Sequence, residues 1–600
     1  MLALLRSKIE ELFGADLRSL ALMRIGVALI LILDLCQRAT DLEAFYSDFG
    51  VAPRALVLNS LGSRWFVSFH FLSGVWQLEA LLLAVAGMFA IALLVGFHTR
   101  LATVSCWIFL VSLDVRNFYV LAGGDMLLRA VIFWSMFLPL GAFYSVDHAW
   151  SGPANKTPKR IITWGTLAFS AQIGALYLFS ALGKTGVEWW YEGSALYYAL
   201  NVDYVGTGFG QWLLHLPPRL LQYTTWATLA FEFVAPFFLF SPWLTGPIRT
   251  LTILGIVGLH GAILLSLLVG IFPFVGIVSI LFFLPSWFWD HLLPKFKSPR
   301  TKLLTIYYDG DCGFCLKAVQ LIKEFILAST VHWLPAQSNP DVEVEMRRAN
   351  SWIVVDESGR HYLGFHGVIA ILRSSKSLSW LTPILGIAQI RYLGNKLYSF
   401  VADHRVASCD LAEGSITNSP IRFELSKGAS IVAVFFTAYM MVWNVGNLKS
   451  INFKIPERVR SLGNLVGLDQ VWEMFAPFPA KDDGWYVIPG TLKGGRQVDL
   501  YRKGAPIDWR KPFSIAQTIK NDRWRKYFEL LNKRDFLPPG YASYLCRTWN
   551  RSHAGNDALE ELEIVFMVEW TRPNFEYFEP RKMPVLKYRC SEGSRNSPAL

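Results

Sequence analysis

YYDGDCGFC, Tyr307 to Cys315, is the stretch on which the reading of this chain turns. Ahead of it, LLTIYY (Leu303 to Tyr308) has the composition of a short buried strand. Behind it, LKAVQLIKEFILA (Leu316 to Ala328) carries apolar residues at helical spacing. The two cysteines therefore stand at a strand-to-helix junction, Cys312 at the helix N-terminus and Cys315 one turn later on the same side. Unsatisfied N–H groups and the positive end of the helix dipole favour a thiolate at Cys312. Cys315 can then attack a mixed disulfide formed there. Asp309 and Asp311 place negative charge beside Cys312 and oppose the dipole, so the thiolate is favoured less than in a strongly oxidising site. A zinc site would need two further ligands. His332, His361, His366 and Cys409 are scattered and offer no second close pair, so the pattern favours dithiol–disulfide chemistry over a metal site or inert structural cysteines.

The surroundings are of a different kind. The 600 residues are 53% hydrophobic and 15% aromatic, with only 17% charged. That balance and long apolar runs describe a polytopic membrane protein. Spans are expected at about 19–36, 78–97, 101–120, 125–145, 162–182, 223–241, 249–268 and 271–289, with a ninth at about 429–446. The first run has no small-residue cleavage site after it and reads as a retained span rather than a signal peptide. With Arg6, Lys8 and Arg18 inside, the short basic clusters Arg100, Lys156 with Lys159 and Arg160, Arg249, and Lys295 to Lys302 all fall on one side. This places the cysteine pair in the cytoplasm and the tail after the ninth span outside. The formal charge of +11 then reflects topology and a basic tail; no basic patch interleaved with stacking aromatics argues for nucleic acid.

Ionisable residues within or beside the spans need a reason to be there. Arg24 is expected to snorkel to the inner surface, and Asp125 and Arg129, four apart, to neutralise each other. Lys184 follows ALYLFSALG and leads into the aromatic segment TGVEWWYEGSALYYAL. It reads as an interfacial anchor or, partly desolvated, as a base. His260, among small residues, reads as a helix–helix hydrogen-bonding group. Asp34, Asp114 and Glu232 complete the set. Cys36 and Cys106 are expected to be small buried hydrophobes. Cys546 and Cys590 lie in the outer tail, where a bridge is permitted but not dictated by sequence. That tail alternates short apolar stretches with Gly and Pro turns and carries an amphipathic helix near Trp524 to Lys533; Asp482 and Asp483 read as solvated loop residues. Residues 591–600 read as disordered.

Two resemblances sharpen this. YYDGDCGFC, SWIVVDESGRHYLGFHGV and LYSFVADHR, in that order, resemble the DCC family of thiol-disulfide oxidoreductases, named for an Asp-x-x-Cys-x-x-Cys core that falls on Asp309, Cys312 and Cys315. The likeness covers about residues 303–405 and implies a thioredoxin-like α/β fold. The local pattern agrees: strand, redox helix, strand VHWLPA, helix, then strands SWIVVD and HYLGF joined by a Glu357-Ser358-Gly359 turn. No proline precedes SWIVVD, where thioredoxins keep a cis-proline that helps bind substrate. RNFYVLAGGDMLLRAVIFWSMFLPLGAFYSVD, SALGKTGVEWWYEG and GLHGAILLSLLVGIFPF resemble the HTTM membrane domain, the bacterial relative of vitamin K-dependent gamma-carboxylase, over roughly 13–290. GLDQVWEMFAPFPAKDDGW resembles the region that follows the membrane core in such proteins. The resemblance implies that a lysine deprotonating vitamin K hydroquinone falls on Lys184 and a late-helix histidine on His260. A quinone is the cofactor it would bring.

The expectation is thus a polytopic α-helical membrane protein of about nine spans, with an inserted thioredoxin-like α/β domain and a β-rich C-terminal domain at 448–600. Its function would be that of a thiol-disulfide oxidoreductase in a bacterial-type inner membrane. The partners would be a protein or small-molecule thiol or disulfide and the lipid bilayer. The alternatives are a quinone-dependent carboxylase- or epoxidase-like enzyme, or a membrane scaffold without catalysis of its own.

Overall fold

The structure, a computed structural model, describes residues 2–61, 65–151, 158–292, 304–326, 331–375, 378–414, 421–572 and 579–591, excepting the side chains of 2–6 and 405–414. Lys156, Lys295, Lys297, Arg300, Lys302, the Cys409 side chain and residues 592–600 lie outside this set. The apolar runs become helices α1 (Leu17–Ala39), α2 (Trp76–Val95), α3 (Thr99–Arg116) and α4 (Gly123–Ser135), then short α5 (Val146–Trp150), α6 (Trp164–Gly183), α7 (Pro218–Leu239), α8 (Thr245–Ser266) and α9 (Phe272–Ile280). After them come β1 (Leu304–Tyr308), α10 (Gly313–Ile326), β2 (Val331–Pro335), α11 (Pro340–Ala349), β3 (Ile353–Asp356), β4 (His361–Leu363), α12 (Gly364–Ser374) and α13 (Ala388–Gly414). The chain returns to an apolar helix at α14 (Lys427–Asn447). The tail contains β5 (Asp482–Val487), β6 (Pro489–Leu492), β7 (Gln497–Asp499), α15 (Asp522–Leu531), α16 (Leu537–Ser552), β8 (Leu559–Trp570) and β9 (Arg581–Arg589).

Side chains that satisfy free N–H groups start several of these helices: Asp16, Thr163 and Ser426 accept from the backbones of Arg18, Thr166 and Ala429. Helices stand at all nine positions expected to span. Among the described residues, five of them, α1, α2, α6, α8 and α14, are long and apolar enough to cross a membrane. The other four fall short in length or apolarity.

In the middle unit, β1 pairs parallel with β2 and antiparallel with β3, and β3 forms a hairpin with β4, giving the order β2-β1-β3-β4. One face buries Leu304, Ile306, Val354 and Ile371, the other Ala336, Val342, Met346 and Ile353. This unit docks on the helical region through α10 and α5, where Glu324 Oε2 lies 2.8 Å from His148 Nδ1. In the tail, β8 is the central strand, paired antiparallel with β9, β5 and β6. A Cys546–Cys590 disulfide ties α16 to the end of β9.

The tail is held to the helices by charge and by aromatic packing. Arg38 donates to Asp34 (2.7 Å), Asp114 (3.0 Å), Asp125 (2.9 Å) and the Tyr46 hydroxyl (3.1 Å). From α15, Arg523 donates to Asp34 (2.5 Å) and Asp125 (2.6 Å). All are buried. Around this cluster Phe45, Tyr46 and Val51 share one apolar core with Trp524, Tyr527 and Tyr541 of the tail.

Several sequence expectations are corrected here. Arg24 does not snorkel: it is buried and donates to the Tyr144 and Leu140 carbonyls. Asp125 and Arg129 do not pair, because Asp125 is taken by Arg38 and Arg523 while Arg129 turns to Asp469 at 2.8 Å and the Gly467 carbonyl at 3.0 Å. Cys36 is exposed on the outside of α1, whereas Cys106 is buried. Asp482 and Asp483 open a strand rather than a loop. Asp483 is buried and accepts the Asp203 N–H at 2.6 Å.

Burial, with the carboxylates of Asp203 and Glu569 close by, raises Asp483 to about 7 despite the Asp203 N–H and Lys511. The folded tail then holds a proton that the unfolded chain releases above about 4. Its contribution to stability is full below that value and is lost as pH rises through about 7. The melting temperature of the detergent-solubilised chain should therefore fall between pH 5 and pH 8 (about the span of that titration), and Asp483→Asn should flatten this slope; an unchanged slope would count against the assignment. Arg523→Ala leaves Asp34 and Asp125 to share Arg38 alone. Removing one partner from a buried cluster costs about 3–5 kcal/mol, so the tail should become markedly more susceptible to limited proteolysis. An unaltered digestion pattern would show that aromatic packing alone holds it.

Candidate functional site

β1 delivers the chain into a tight loop, Asp309-Gly310-Asp311, and α10 begins directly after Cys312. The Cys312 carbonyl accepts the Leu316 N–H at 3.0 Å, which makes Cys312 the residue capping the helix. Cys315 sits in the first turn, facing the sheet. Cys312 is 8% and Cys315 1% exposed, so Cys312 is the cysteine a partner can reach first.

The loop is held by a residue that sequence reading passed over. Gln337, in the turn after β2, donates to Asp309 Oδ1 (3.0 Å) and Asp311 Oδ2 (3.1 Å), and its carbonyl accepts the Gly310 N–H (3.1 Å). Asp309 also accepts the Asp311 N–H at 3.2 Å. The two aspartates thus share one amide clamp beside Cys312, and part of their charge is spent on it. Only the folding of β2 against β1 brings Gln337 to the loop, and no local signal marks it. Trp352 was likewise missed. It immediately precedes β3, and its indole N–H donates to Cys315 Sγ at 3.3 Å. The Tyr398 hydroxyl of α13 accepts the Trp352 N–H at 3.1 Å and fixes the indole's backbone.

Lys184 and His260 belong to a second locality. Lys184 ends α6, and its Nζ lies 2.5 Å from Glu232 Oε2 of α7, 2.9 Å from Ser180 Oγ and 5.0 Å over the Trp189 ring. It is buried and closes an ion pair between two helices. His260 Nε2 lies 2.8 Å from the Tyr177 hydroxyl, and among the described residues its Nδ1 has no hydrogen-bond partner. Gly276 permits this packing, because a Cβ there would come within 2.3 Å of the imidazole. Tyr177, Ser180 and Lys184 follow one face of α6, so His260 of α8 and Glu232 of α7 meet the same helix at points about 10 Å apart along its axis. A cavity of about 390 Å³ adjoins Ser180 and is walled by Met126, Leu176, Phe272 and Trp472, with Arg525 and Glu529 at the tail side. Lys184 and His260 do not line it.

Metal-ligating groups gather elsewhere. Among the described residues, the one set of three close enough to share an ion is Asp203, Asp483 and Glu569 in and near the tail. The Lys511 ammonium already lies 2.5 Å from both Asp203 and Glu569, as a cation in their midst.

The family model of the HTTM domain matches residues 14–287, and that of the DCC1-like thiol-disulfide oxidoreductase matches residues 306–410. No curated protein and no solved structure matches the chain. The chain is a membrane protein that carries an HTTM domain followed by a DCC1-like thiol-disulfide oxidoreductase domain.

Proposed function

We propose that this protein is a membrane-bound thiol-disulfide oxidoreductase acting on a protein or small-molecule disulfide, with Cys312 as the attacking and Cys315 as the resolving thiol. One observation carries the reading: a cysteine pair at the start of α10, Cys312 capping the helix through its carbonyl and Cys315 Sγ under the Trp352 indole N–H. The Cys312 thiolate attacks one sulfur of the partner disulfide, forming a mixed disulfide and releasing the other as a thiol. Cys315 then gives up its proton, attacks Cys312 Sγ and expels the second thiol. The partner gains two electrons and two protons, and the enzyme is left with a Cys312–Cys315 disulfide. A dithiol donor of lower potential returns it to the starting state. Asp309 and Asp311, clamped by Gln337, shape the loop that presents Cys312. The order β2-β1-β3-β4 supports a thioredoxin-like unit at 303–405, set between the membrane domain at 13–290 and the last span at 429–446.

The sidedness we favour has this unit in the cytoplasm and the tail on the outer side of a bacterial-type inner membrane. The tail's Cys546–Cys590 bridge supports it, since such bonds persist in oxidising compartments.

A second reading makes the membrane unit a quinone-dependent carboxylase- or epoxidase-like enzyme with Lys184 as base. The apolar cavity beside Ser180 favours it. The residues present do not complete that site, because Lys184 is committed to Glu232 and Ser180 and stands off the cavity. The simpler role for the membrane unit is a scaffold.

Two measurements discriminate. In the full-length protein, Cys312→Ser should abolish reduction of insulin disulfides, and Cys315→Ser should accumulate a mixed disulfide at Cys312 detectable by mass; a wild-type pair that never oxidises during turnover would sink the proposal. Lys184→Ala should leave disulfide reduction intact and change no consumption of added hydroquinone. Loss of a measurable hydroquinone-consuming activity in that variant would restore the second reading.

A further inference from the structure

α13 has two faces of opposite character. One packs on the redox unit: at Gly394 a Cβ would collide with the Phe365 ring, and Tyr398 holds Trp352. The other carries Tyr392, Leu393, Leu397 and Phe400, each between 60% and 67% exposed. Leu393, Leu397 and Phe400 repeat at the spacing of a single helical stripe. Ile387 and Trp380, just ahead in the sequence, are exposed as well. So many large apolar side chains in contact with water would be a liability, and patches of this kind are normally covered.

Three features identify a bilayer surface as the cover. First, the charged residues between Ala388 and Val401 are Arg391 and Lys396, both basic, and Lys396 adjoins the apolar stripe. Aromatic and aliphatic side chains flanked by basic ones make the pattern of a helix lying in a membrane interface. Second, the chain runs from this helix straight into the membrane unit. Ile421 and Phe423 pack against the core of the membrane helices. Six residues lie between Gly414 and Ile421, a reach of about 25 Å at most over the seven steps. Third, α10, which packs beside α13, is docked against α5 of the membrane unit through Glu324 and His148. The redox unit is thereby held against the same end of the helices from two directions.

We propose that the Leu393–Leu397–Phe400 face of α13 lies in the bilayer leaflet on the redox unit's side. Its apolar side chains would sit among the upper acyl chains, and Arg391 and Lys396 would meet acidic headgroups. Because Tyr398 on the opposite face of α13 positions Trp352 over Cys315, the lipid contact and the dithiol share one rigid helix. The thiols then serve a partner that works at the membrane surface.

The test uses the full-length protein in nanodiscs of phosphatidylethanolamine and phosphatidylglycerol. The photo-reactive residue p-benzoylphenylalanine replaces position 397, and in separate samples position 400 or 344. Val344 is as exposed as these residues but lies on α11 of the same unit. Irradiation followed by mass spectrometry should give phospholipid adducts at 397 and 400 and none at 344. Using two positions guards against a variant that fails to fold. Cross-linked dimers of the chain at 397 and 400 would assign the face to a second copy and overturn the proposal. Absence of lipid adducts at both, or equal labelling at 344, would overturn it as well.

Discussion

Buried charge, balanced within a few ångströms, is the constraint on which the assembly rests. Two arginines from distant parts of the chain, Arg38 in the first long helix and Arg523 near the end, share Asp34 and Asp125, with Asp114 on Arg38. None of these groups can be left alone out of water, since an isolated buried ion costs several kcal/mol. Each therefore requires the others in place. The first helices and the tail become mutually obligatory, although more than 480 residues separate Arg38 from Arg523 (about 485 positions, a loop whose closure adds little entropy cost beyond that of a shorter one). Arg129 extends the same logic to the segment after α14 through Asp469 and the Gly467 carbonyl.

A rigid helical body of this kind gives the redox unit something to lean on. Its sheet is small and its two apolar cores modest, so its position is set by its docking contacts and by being tied to the membrane helices at either side of the sequence. The dithiol stands at the opposite end of α10 from Glu324, about 18 Å away along the helix (twelve residues at 1.5 Å each). The sulfurs are thus remote from the docking contact while remaining on the helix that makes it. Chemistry and attachment occupy the two ends of one element.

At the thiols, the controlling neighbours come from three separate elements. The helix start supplies N–H groups and the dipole, the turn after β2 supplies Gln337, and the residue before β3 supplies an indole N–H. Gln337 spends its donors on the two acidic side chains nearest Cys312. Those side chains are therefore held in place by the same amide, and the Trp352 indole N–H donates to the second sulfur. In the helical region, by contrast, Lys184 and Glu232 neutralise each other, and His260 is held by Tyr177 under a close-packed glycine. Those contacts bind helices together.

Local pattern determined the strand–cysteine–helix junction, the alternation of elements around it and the positions of the apolar helices. Each of these rests on interactions between residues a few places apart, such as helical spacing, capping side chains and turn glycines. Long-range pairing was another matter. That Asp125 faces Arg523 rather than Arg129, that Arg24 reaches the carbonyls of residues 140 and 144, that Asp483 is buried beneath Asp203, and that Cys546 meets Cys590 are consequences of which surfaces come together. The same holds for Gln337 and Trp352 at the thiols. A charge or a hydrogen-bond donor in a sequence states a need for a partner, but several partners can satisfy it, and only the packed tertiary structure, by excluding water, selects one.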